Sequence, residues 1–473
     1  MLISAAGLFE PFIPSKRGEN DTLPSDSEFS TATMETAIND SQSAPDSEVI
    51  VIGAGVAGLA AARTLQSSGH KVFILEARDR IGGRIWTNRN LGNIALDMGA
   101  SWIHGIQGNP LTTLAKQYNA RTVSTNYDSY QLYNTNGASL SDAQMEKVDL
   151  RLTNLLSELD SLRENMEADD LADISLKKAF DQTIARKKFT TQELRELNFA
   201  INTTIEHEES GDVADMSLFN WDQDLDNIGA DGLFPQGYDQ IINGLANELD
   251  IRLEQVVKNI TYDSKGVTLT TNKGVFSAER ALITIPLGVL KSGSVTFSPS
   301  LPTRKLNALQ NLGMGILNKV YLLFPSVFWE KDTEIFGYIS ADKGQWGETY
   351  NFNKYLGRPV LLAFNAANFG LQIEKFTDNQ IIQKAMTVLQ TIFGSSIPQP
   401  QGWLITRWGA DPFAGGSYSY IRPGGSGDDY DILAAPIANR LFFAGEATHR
   451  DHPATVHGAY LSGTREAKRI ANL

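Results

Sequence analysis

The stretch Glu48-Val49-Ile50-Val51-Ile52-Gly53-Ala54-Gly55-Val56-Ala57-Gly58 decides the fold of this 473-residue chain. Its apolar run predicts a buried strand that leads directly into a glycine turn, and residues 59–68 continue with the apolar spacing of a helix. Residues 71–76 form a second apolar run, which completes a strand–helix–strand unit of about 30 residues. The sequence therefore predicts an α/β protein with a Rossmann-like nucleotide-binding sheet.

The glycines of this unit indicate a dinucleotide site. Gly53 and Gly55 permit a tight turn and a close approach of the backbone to a pyrophosphate, and Gly58 lets the helix pack near the strand. The helix then aims its N-terminal amides at the phosphates. Glu76 ends the second strand about 20 residues further on, where its carboxylate can accept hydrogen bonds from ribose hydroxyls. An ordinary glycine turn would not require that carboxylate.

Composition and charge limit the class of protein. Cysteine is absent, which excludes disulfides, cysteine metal sites and thiol catalysis. Residues 1–48 hold nine carboxylates and two basic residues, so half of the net charge of −14 lies there. The remaining acidity is ordinary and argues against nucleic acid as a partner. Without a membrane span or an export signal, we expect a soluble, cytoplasmic protein, and we predict no metal site.

The chain is predicted to form two domains, each built from separate segments. Residues 1–46 are polar and lack an apolar period, so we expect them to be disordered. We assign residues 47–105, 235–300 and 425–473 to a discontinuous nucleotide-binding domain, and residues 106–234 and 301–424 to an α+β substrate-binding domain. Residues 140–204 are charged, helical in pattern and free of glycine. Strand patterns return at residues 267–271, 280–285, 319–324, 360–365 and 440–444.

The run Glu76-Ala77-Arg78-Asp79-Arg80-Ile81-Gly82-Gly83-Arg84 follows the second strand directly. It resembles the GG motif of the superfamily of amine oxidases and GDP-dissociation inhibitors, in which this segment wraps FAD and its arginine approaches the cofactor phosphates. The resemblance implies a non-covalently bound FAD and a role for Arg84 in holding it. A surface salt bridge is the alternative interpretation of Arg84.

The resemblance continues in order to the C-terminus and becomes specific to polyamine oxidases. Residues 97–105 look like the segment that runs beneath the flavin ring, and residues 253–257 like a strand whose valine meets the adenine end. Residues 443–463 resemble the second FAD fingerprint, in which a carboxylate accepts a ribityl hydroxyl and a helix presents N–H groups to the pyrimidine edge. The resemblance assigns cofactor contacts here to Ala100, Ser101, Trp102, Val257, Trp403, Glu446, Thr455 and Val456.

Lys319 is the residue that the resemblance connects with the chemistry. Amine oxidation by flavin removes a hydride equivalent from the carbon next to nitrogen, and only an amine with a free lone pair can stabilise the iminium that results. In the family, a lysine at this position holds a water against flavin N5. Burial should lower the pKa of Lys319 and allow it to shuttle protons or assist imine hydrolysis. By itself, a lysine at the start of a strand indicates only a solvated side chain.

Aromatic and charged side chains are expected to hold the substrate. The resemblance makes Tyr418 one wall beside the reacting carbon, with Trp403 in the run before it, and core packing is the alternative for both. Thr455 stands where some members carry a second aromatic wall, so it is predicted to contact substrate and the choice of amine stays open.

The distal amines of a polyamine require partners along the cavity. His104 matches a histidine of several polyamine oxidases, and we predict it to be both catalytic and substrate-binding. Glu206 is predicted to be the tunnel carboxylate, with Glu208 and Glu209 as weaker candidates in the same acidic cluster. A solvated charged face is the alternative for that cluster.

These features predict an FAD-dependent polyamine oxidase that converts a polyamine, O₂ and water to an aldehyde, a shorter amine and H₂O₂. A monoamine or amino-acid oxidase on the same fold is an alternative, although the cysteine-linked flavin and C-terminal membrane helix of mitochondrial monoamine oxidases are not matched. A histone demethylase is disfavoured, because we expect no room for its appended nucleosome-binding domain or its long helical insertion. A non-catalytic nucleotide-binding protein is an alternative of another class, against which Lys319 and the C-terminal fingerprint argue.

Overall fold

A computed structural model describes residues 47–473 except Asp224 and Asp226, so the tail predicted at residues 1–46 lies outside the described residues. The strands follow in chain order: β1 (Ser47–Ile52), β2 (Val72–Leu75), β3 (Thr87–Asn88), β4 (Leu96–Asp97), β5 (Trp102–Ile103), β6 (Val123–Ser124), β7 (Tyr130–Tyr133), β8 (Gly232–Leu233), β9 (Ile251–Arg252), β10 (Val257–Tyr262), β11 (Val267–Thr271), β12 (Val275–Ile283), β13 (Thr296–Ser298), β14 (Leu312–Met314), β15 (Leu317–Leu323), β16 (Ile335–Tyr338), β17 (Glu348–Asn351), β18 (Val360–Ala366), β19 (Gly402–Ile405), β20 (Ser419–Ile421) and β21 (Leu441–Phe443).

Helices connect and cover these strands. The α-helices in chain order are α1 (Val56–Ser67), α2 (Pro110–Gln117), α3 (Asp142–Ala168), α4 (Leu176–Ile184), α5 (Thr191–Ile201), α6 (His207–Glu209), α7 (Asp239–Ala246), α8 (Leu287–Lys291), α9 (Thr303–Asn311), α10 (Asn353–Leu356), α11 (Ala367–Ile373), α12 (Asp378–Phe393), α13 (Gly427–Ala434) and α14 (Val456–Ala471). A π-helix, Asn202–Glu206, continues α5 into α6, and a 3₁₀ turn, Glu446–Thr448, precedes α14.

An eight-stranded sheet carries the nucleotide-binding part. Its parallel strands have the order β9-β2-β1-β12-β21, and β12 also begins an antiparallel extension through β11 and β10, with β13 beside β10. Strand β12 is long enough to pair with β11 through residues 275–278 and with β21 through residues 281–283. All eight strands lie in the segments 47–105, 235–300 and 425–473.

Strand β1 shows why this sheet is covered on both faces. Val49 and Val51 pack into one apolar core with helices α1 and α14, whereas Ile50 and Ile52 pack into another core. Successive side chains of a strand point to opposite faces, so an uninterrupted apolar run fits a strand that is covered on both sides. Because β1 and β2 are parallel neighbours joined through α1, the predicted strand–helix–strand unit is confirmed.

The second large sheet, with the order β19-β15-β18-β17-β16-β7, carries Lys319 on β15. Val320 and Leu322 point into one core, while Tyr321 and Leu323 point into a different core that includes residues from 91–102. Lys319 shares the face of Tyr321, because the two residues are two positions apart on the strand. The register of β15 therefore directs Lys319 towards the nucleotide-binding part.

Two local features differ from the simplest interpretation of the sequence. Helices α3, α4 and α5 occupy the predicted helical region, but α5 then passes into the π-helix rather than ending. Of residues 253–257, only Val257 belongs to a strand, since β9 ends at Arg252 and β10 begins at Val257, and Glu254 between them has a φ of 58°. Within the described ranges, no helix combines the length and apolarity needed to cross a membrane.

Lys305 joins the segment 301–424 to the segment 425–473. Its side chain lies on α9 and is only 2% exposed, and Nζ donates hydrogen bonds to three carbonyl oxygens at the end of α13. Those of Ile432, Leu433 and Ala435 lie 2.9, 2.7 and 2.8 Å away. The last carbonyls of a helix have no partner within it, so a buried lysine satisfies them and fixes α13 against α9.

We expect Lys305→Met to lower the free energy of unfolding by about 2 kcal/mol, because buried carbonyl oxygens lose their donor. Lys258→Met is the matched control, since Lys258 is exposed on β10, and it should change stability by less than about 0.5 kcal/mol. Urea unfolding followed by circular dichroism measures both. An unchanged transition in Lys305→Met would contradict this role.

Candidate functional site

A cavity of about 840 Å³ reaches from the glycine turn after β1 to Lys319 on β15. Both predicted domains contribute to its wall. Most of the residues predicted from the sequence line it, namely Gly53, Gly55, Glu76, Arg84, Ala100, Ser101, Trp102, His104, Val257, Lys319, Tyr418, Glu446, Thr455 and Val456. Gly58, Trp403 and Glu206 do not line it.

Each glycine of the turn is needed for a different structural reason. Gly53 has a φ of 108°, a conformation that favours glycine. A Cβ on Gly58 would lie 1.9 Å from the carbonyl oxygen of Gly53, so only glycine lets α1 begin this close to the strand. At Gly55, no described atom lies within 4 Å of the Cβ position, and the residue borders the cavity. Gly58 therefore serves packing, whereas Gly55 leaves room for a ligand.

Glu76 is buried at the end of β2 and closes the turn. Its Oε2 accepts a hydrogen bond from the Ala54 amide at 2.7 Å, and its Oε1 accepts one from the Arg78 amide at 2.9 Å. A carboxylate keeps further lone pairs, and Glu76 borders the cavity, so it can also accept from a ligand hydroxyl. Arg78, which the sequence did not single out, borders the cavity and donates two hydrogen bonds to Asp411, at 2.8 and 2.9 Å.

Arg84 and Glu446 join the GG motif to the C-terminal fingerprint. Arg84 Nη1 donates to Glu446 Oε1 at 2.8 Å and to the Ser417 carbonyl at 2.9 Å. Glu446 is buried, and its Oε2 accepts from Ser419 Oγ at 2.6 Å and from the Ala454 amide at 3.1 Å. Arg84 thus forms a salt bridge, but with a buried partner at the cavity wall rather than on the surface.

Lys319 is buried, and its amino group meets oxygen atoms of a single segment. Nζ donates to the carbonyl oxygens of Asp97 and Gly99, at 2.9 and 2.5 Å, and lies 2.5 Å from Ser101 Oγ. Segment 97–101 is the one predicted to run beneath the flavin. Strand β15 therefore fixes one end of the lysine and the nucleotide-binding part fixes the other.

Burial controls the charge of Lys319. It lowers the pKa of the amino group because solvent no longer stabilises the ammonium, and the nearby Asp97 carboxylate offsets only part of this effect. Burial also raises the pKa of Asp97, against hydrogen bonds from Thr87 Oγ1 at 2.5 Å and the Tyr238 amide at 3.0 Å. The pKa of Lys319 lies closer to neutrality than that of a free lysine, in the direction expected from the sequence, so the neutral amine becomes accessible.

Aromatic rings surround this end of the cavity. Trp102, Tyr350 and Phe364 pack on one another with ring centroids 5.1 to 6.1 Å apart. The Lys319 Nζ lies 5.6 Å from the ring centroid of Trp102 and 5.7 Å from that of Phe364. Tyr418 also borders the cavity, and burial raises the pKa of its phenol well above the ordinary value, so the hydroxyl stays neutral.

Trp403 does not line the cavity, whereas Trp408 does. Trp403 is paired with Leu322 across the β15–β19 ladder and shares its face, which packs into the core away from Lys319. Trp408 follows the end of β19, and its Nε1 donates to the Met98 carbonyl at 3.2 Å. The two-residue periodicity of β19 places Trp403 on the face that points away from Lys319. The pairing with β15 sets this register, which the sequence alone does not give.

The acidic cluster also differs from the prediction. Glu206 points away from the cavity, where its Oε1 accepts from Lys343 Nζ at 2.7 Å and its Oε2 accepts from the Asn202 amide group at 2.9 Å. Glu208 and Glu209 border the cavity in its place. Glu206 is the last residue of the π-helix, and the substrate role that the resemblance assigned to it stays a prediction.

His104 faces the cavity with a side chain that is 47% exposed. Its Nδ1 lies 2.8 Å from Oδ2 of Asp231, a residue that the sequence did not single out. Burial raises the pKa of Glu208, and the charge of Glu348 adds to this while His104 opposes it. The carboxylates of Glu208, Asp231 and Glu348 therefore border the same cavity as Lys319.

Helix α14 begins at the cavity wall. Thr455 is its N-terminal cap: Oγ1 accepts from the Gly458 amide at 3.0 Å and donates to the His452 carbonyl at 2.9 Å. Thr455 and Val456 both border the cavity, so the positive end of the helix dipole lies there. This arrangement suits an electron-rich ligand edge.

Comparison with known proteins agrees with this geometry. The family model described as flavin containing amine oxidoreductase matches residues 56–471. The protein Flowering Locus D of Arabidopsis thaliana is 39% identical over 439 residues, which cover 90% of this chain and 55% of that protein. Lysine-specific histone demethylase 1 homolog 3 of Oryza sativa subsp. japonica is 40% identical over 89% of this chain and 54% of its own length. The chain thus spans about half the length of these relatives.

Polyamine oxidase 2 of Arabidopsis thaliana is 38% identical over 438 residues, which cover 89% of this chain and 87% of that enzyme. Among solved structures, wild-type putrescine oxidase bound to putrescine superposes with a TM-score of 0.75 at 20% identity, over 90% of this chain and 99% of the other. The second likeness shows the fold alone. The predicted α/β fold with an FAD-binding domain is confirmed.

The residues present fit FAD. Gly55 leaves open space at the turn, and Glu76 offers carboxylate oxygens beside it. The N-terminus of α14, Arg84 and Glu446 border the same cavity. FAD is the cofactor, and its attachment through cysteine is excluded because the sequence has none.

Two alanine substitutions separate packing from ligand binding at the turn. We expect Gly58→Ala to lower the free energy of unfolding by about 1–3 kcal/mol, because its Cβ collides with the Gly53 carbonyl. Gly55→Ala should leave the stability of the FAD-free protein unchanged but weaken FAD binding roughly tenfold or more, because its Cβ enters the ligand space.

Thermal unfolding with and without added FAD, together with a fluorescence titration of FAD, measures both effects. Gly274→Ala is the control, since no described atom lies within 4 Å of its Cβ position and it does not border the cavity. Equal melting temperatures for Gly58→Ala and Gly274→Ala would contradict the packing argument.

Proposed function

Because the chain belongs to the flavin-containing amine oxidoreductase family, we propose that it oxidises polyamines at a carbon next to an amine nitrogen, with O₂ as the electron acceptor. Each turnover would convert the polyamine, O₂ and water to an aldehyde, a shorter amine and H₂O₂. The cytoplasmic location expected from the sequence remains a prediction.

The observation that carries this proposal is the combination of carboxylates and a low-pKa lysine in one cavity. Glu208, Asp231 and Glu348 provide negative charge that attracts a polycation. Lys319, in contrast, is buried, and burial favours its uncharged form although the Asp97 carboxylate opposes this effect. A polyamine requires both conditions, because its distal nitrogens bind as ammonium ions while the reacting nitrogen must be neutral.

The bound flavin would supply the two-electron acceptor, and the protein supplies the surroundings. Trp102, Phe364 and Tyr418 form apolar walls that exclude water from the reacting amine. The Lys319 amino group has two carbonyl oxygens and the Ser101 hydroxyl as partners. Its depressed pKa permits it to accept or release a proton, and this capacity suits imine hydrolysis.

A second candidate is removal of methyl groups from lysine side chains of histones. The observation in its favour is the 39–40% identity to Flowering Locus D and to lysine-specific histone demethylase homologues. Methylated lysine is also a cationic amine whose neutral form has a lone pair, so the same cavity chemistry applies. The two candidates differ in whether the cavity admits a free polyamine or the end of a peptide.

Anaerobic reduction of the flavin distinguishes the candidates. The holoenzyme is mixed in turn with spermidine, spermine, N-acetylated polyamines, a dimethyl-lysine histone peptide, tyramine and leucine, while the visible flavin spectrum is followed. We expect polyamines to bleach the flavin, with H₂O₂ appearing when air is admitted. A trimethyl-lysine peptide is the control for demethylation, since it has no lone pair. Bleaching by the dimethyl peptide alone would replace the polyamine proposal, and bleaching by no amine would refute both.

Lys319→Met should slow flavin reduction or reoxidation at least roughly 100-fold while FAD stays bound, because proton transfer near the reacting amine is lost. Rapid mixing with spermidine measures the two half-reactions separately. Lys384→Met is the matched control, since Lys384 is an exposed lysine that also lies near an aromatic ring, that of Phe376 at 5.2 Å. Wild-type rates in Lys319→Met would remove the lysine from the mechanism.

A further inference from the structure

Asp231 borders the cavity and makes hydrogen bonds to three groups. Its Oδ2 lies 2.8 Å from His104 Nδ1 and accepts from the Tyr127 hydroxyl at 2.9 Å, and its Oδ1 accepts from the Gly105 amide at 2.8 Å. The side chain of Asp231 is 14% exposed, whereas that of His104 is 47% exposed. Burying a carboxylate is costly unless hydrogen bonds compensate for the lost water, and these three contacts supply that compensation.

The backbone keeps this group of residues in place. Strand β5 ends at Ile103, directly before His104, and β8 begins at Gly232, directly after Asp231. The two strands are antiparallel neighbours, with Ile103 opposite Gly232. His104 and Asp231 therefore leave adjacent strands at the same edge, and the orientation of the imidazole ring depends on that carboxylate.

We propose that Asp231 is a positioning residue that holds His104 with Nε2 directed into the cavity, where His104 binds a distal amino group of the substrate. The proposal rests on the proposed oxidation of polyamines, and it concerns how the second nitrogen of the substrate is recognised. Neither Asp231 nor Tyr127 is expected to touch the reacting carbon.

The protonation state of His104 decides whether its Nε2 accepts or donates a hydrogen bond. When Nδ1 donates its hydrogen to Asp231, the Nε2 of a neutral His104 carries a lone pair and accepts a hydrogen bond from an ammonium group. When His104 is protonated, Nε2 becomes a donor and repels the ammonium. Binding of a polyamine should therefore improve as pH rises through the pKa of His104.

Several charges act on that pKa. Burial lowers the pKa of His104, but the hydrogen bond and charge of Asp231, with the charge of Glu208, outweigh burial and raise it, while Lys319 opposes them. The charge of His104 in turn contributes to lowering the pKa of His457 on α14. Asp231 thus orients the ring and also favours its protonated form, so removing its charge should shift the pH dependence towards acid.

Two variants separate these roles in the holoenzyme with spermidine as substrate. Asp231→Asn keeps the shape and one acceptor but removes the charge, so the acidic limb of kcat/KM should move to lower pH by roughly one unit. Asp231→Ala removes the acceptor, so KM should rise roughly tenfold while kcat stays within about threefold of the wild-type value. Asp231→Glu should restore part of the lost affinity. Asp378→Asn, which removes an exposed carboxylate paired with Arg407, is the control for charge alone.

The outcomes are distinguishable. If spermidine and other polyamines fail to reduce the wild-type flavin, the proposed function is refuted. If the wild type oxidises spermidine but Asp231→Asn and Asp231→Ala match it in KM and in pH profile, the positioning role is refuted. A parallel fall in kcat and 1/KM with a lower melting temperature and an unmoved acidic limb would assign Asp231 to stability alone and would also overturn the proposal.

Discussion

The hydrogen bonds between Lys319 and segment 97–101 are the interaction on which the rest of the site depends. A buried amino group is costly unless its hydrogen-bonding capacity is used, and here the carbonyl oxygens of Asp97 and Gly99 and the hydroxyl of Ser101 use it. Because the lysine belongs to the six-stranded sheet and the oxygens belong to the nucleotide-binding part, this contact sets the distance between them. Trp408 reinforces it through its hydrogen bond to the Met98 carbonyl.

The charges of the cavity are arranged by burial as much as by residue type. Lys319 lies beside the aromatic rings of Trp102 and Phe364, and burial moves its pKa towards neutrality. The carboxylates of Glu208, Asp231 and Glu348 border the same cavity, where the charge of His104 partly balances those of Glu208 and Asp231. Such a cavity attracts cations and also provides a lysine that can hold and release a proton. Both properties suit the oxidation of amines, which is the chemistry of the family.

Contacts between distant parts of the sequence complete the cofactor site. Arg84 and Glu446 meet although more than three hundred residues separate them, and Glu446 also binds Ser419. Strand β12 makes this possible, because it pairs with β1 on one side and on the other with β21, which ends two residues before Gly445. The order of the strands therefore brings the two FAD fingerprints to one edge of the sheet.

The sequence by itself determined the α/β fold, the FAD cofactor and the family, because these depend on local patterns such as the glycine turn at 53–58 and on motifs in a recognisable order. Tertiary structure decided which side chains face the cavity. Trp403 packs into the core opposite Leu322, Glu206 pairs with Lys343, and Asp231 reaches His104 through the pairing of β5 with β8. Each of these contacts depends on a partner far along the chain, and such a partner leaves no signal in residue spacing.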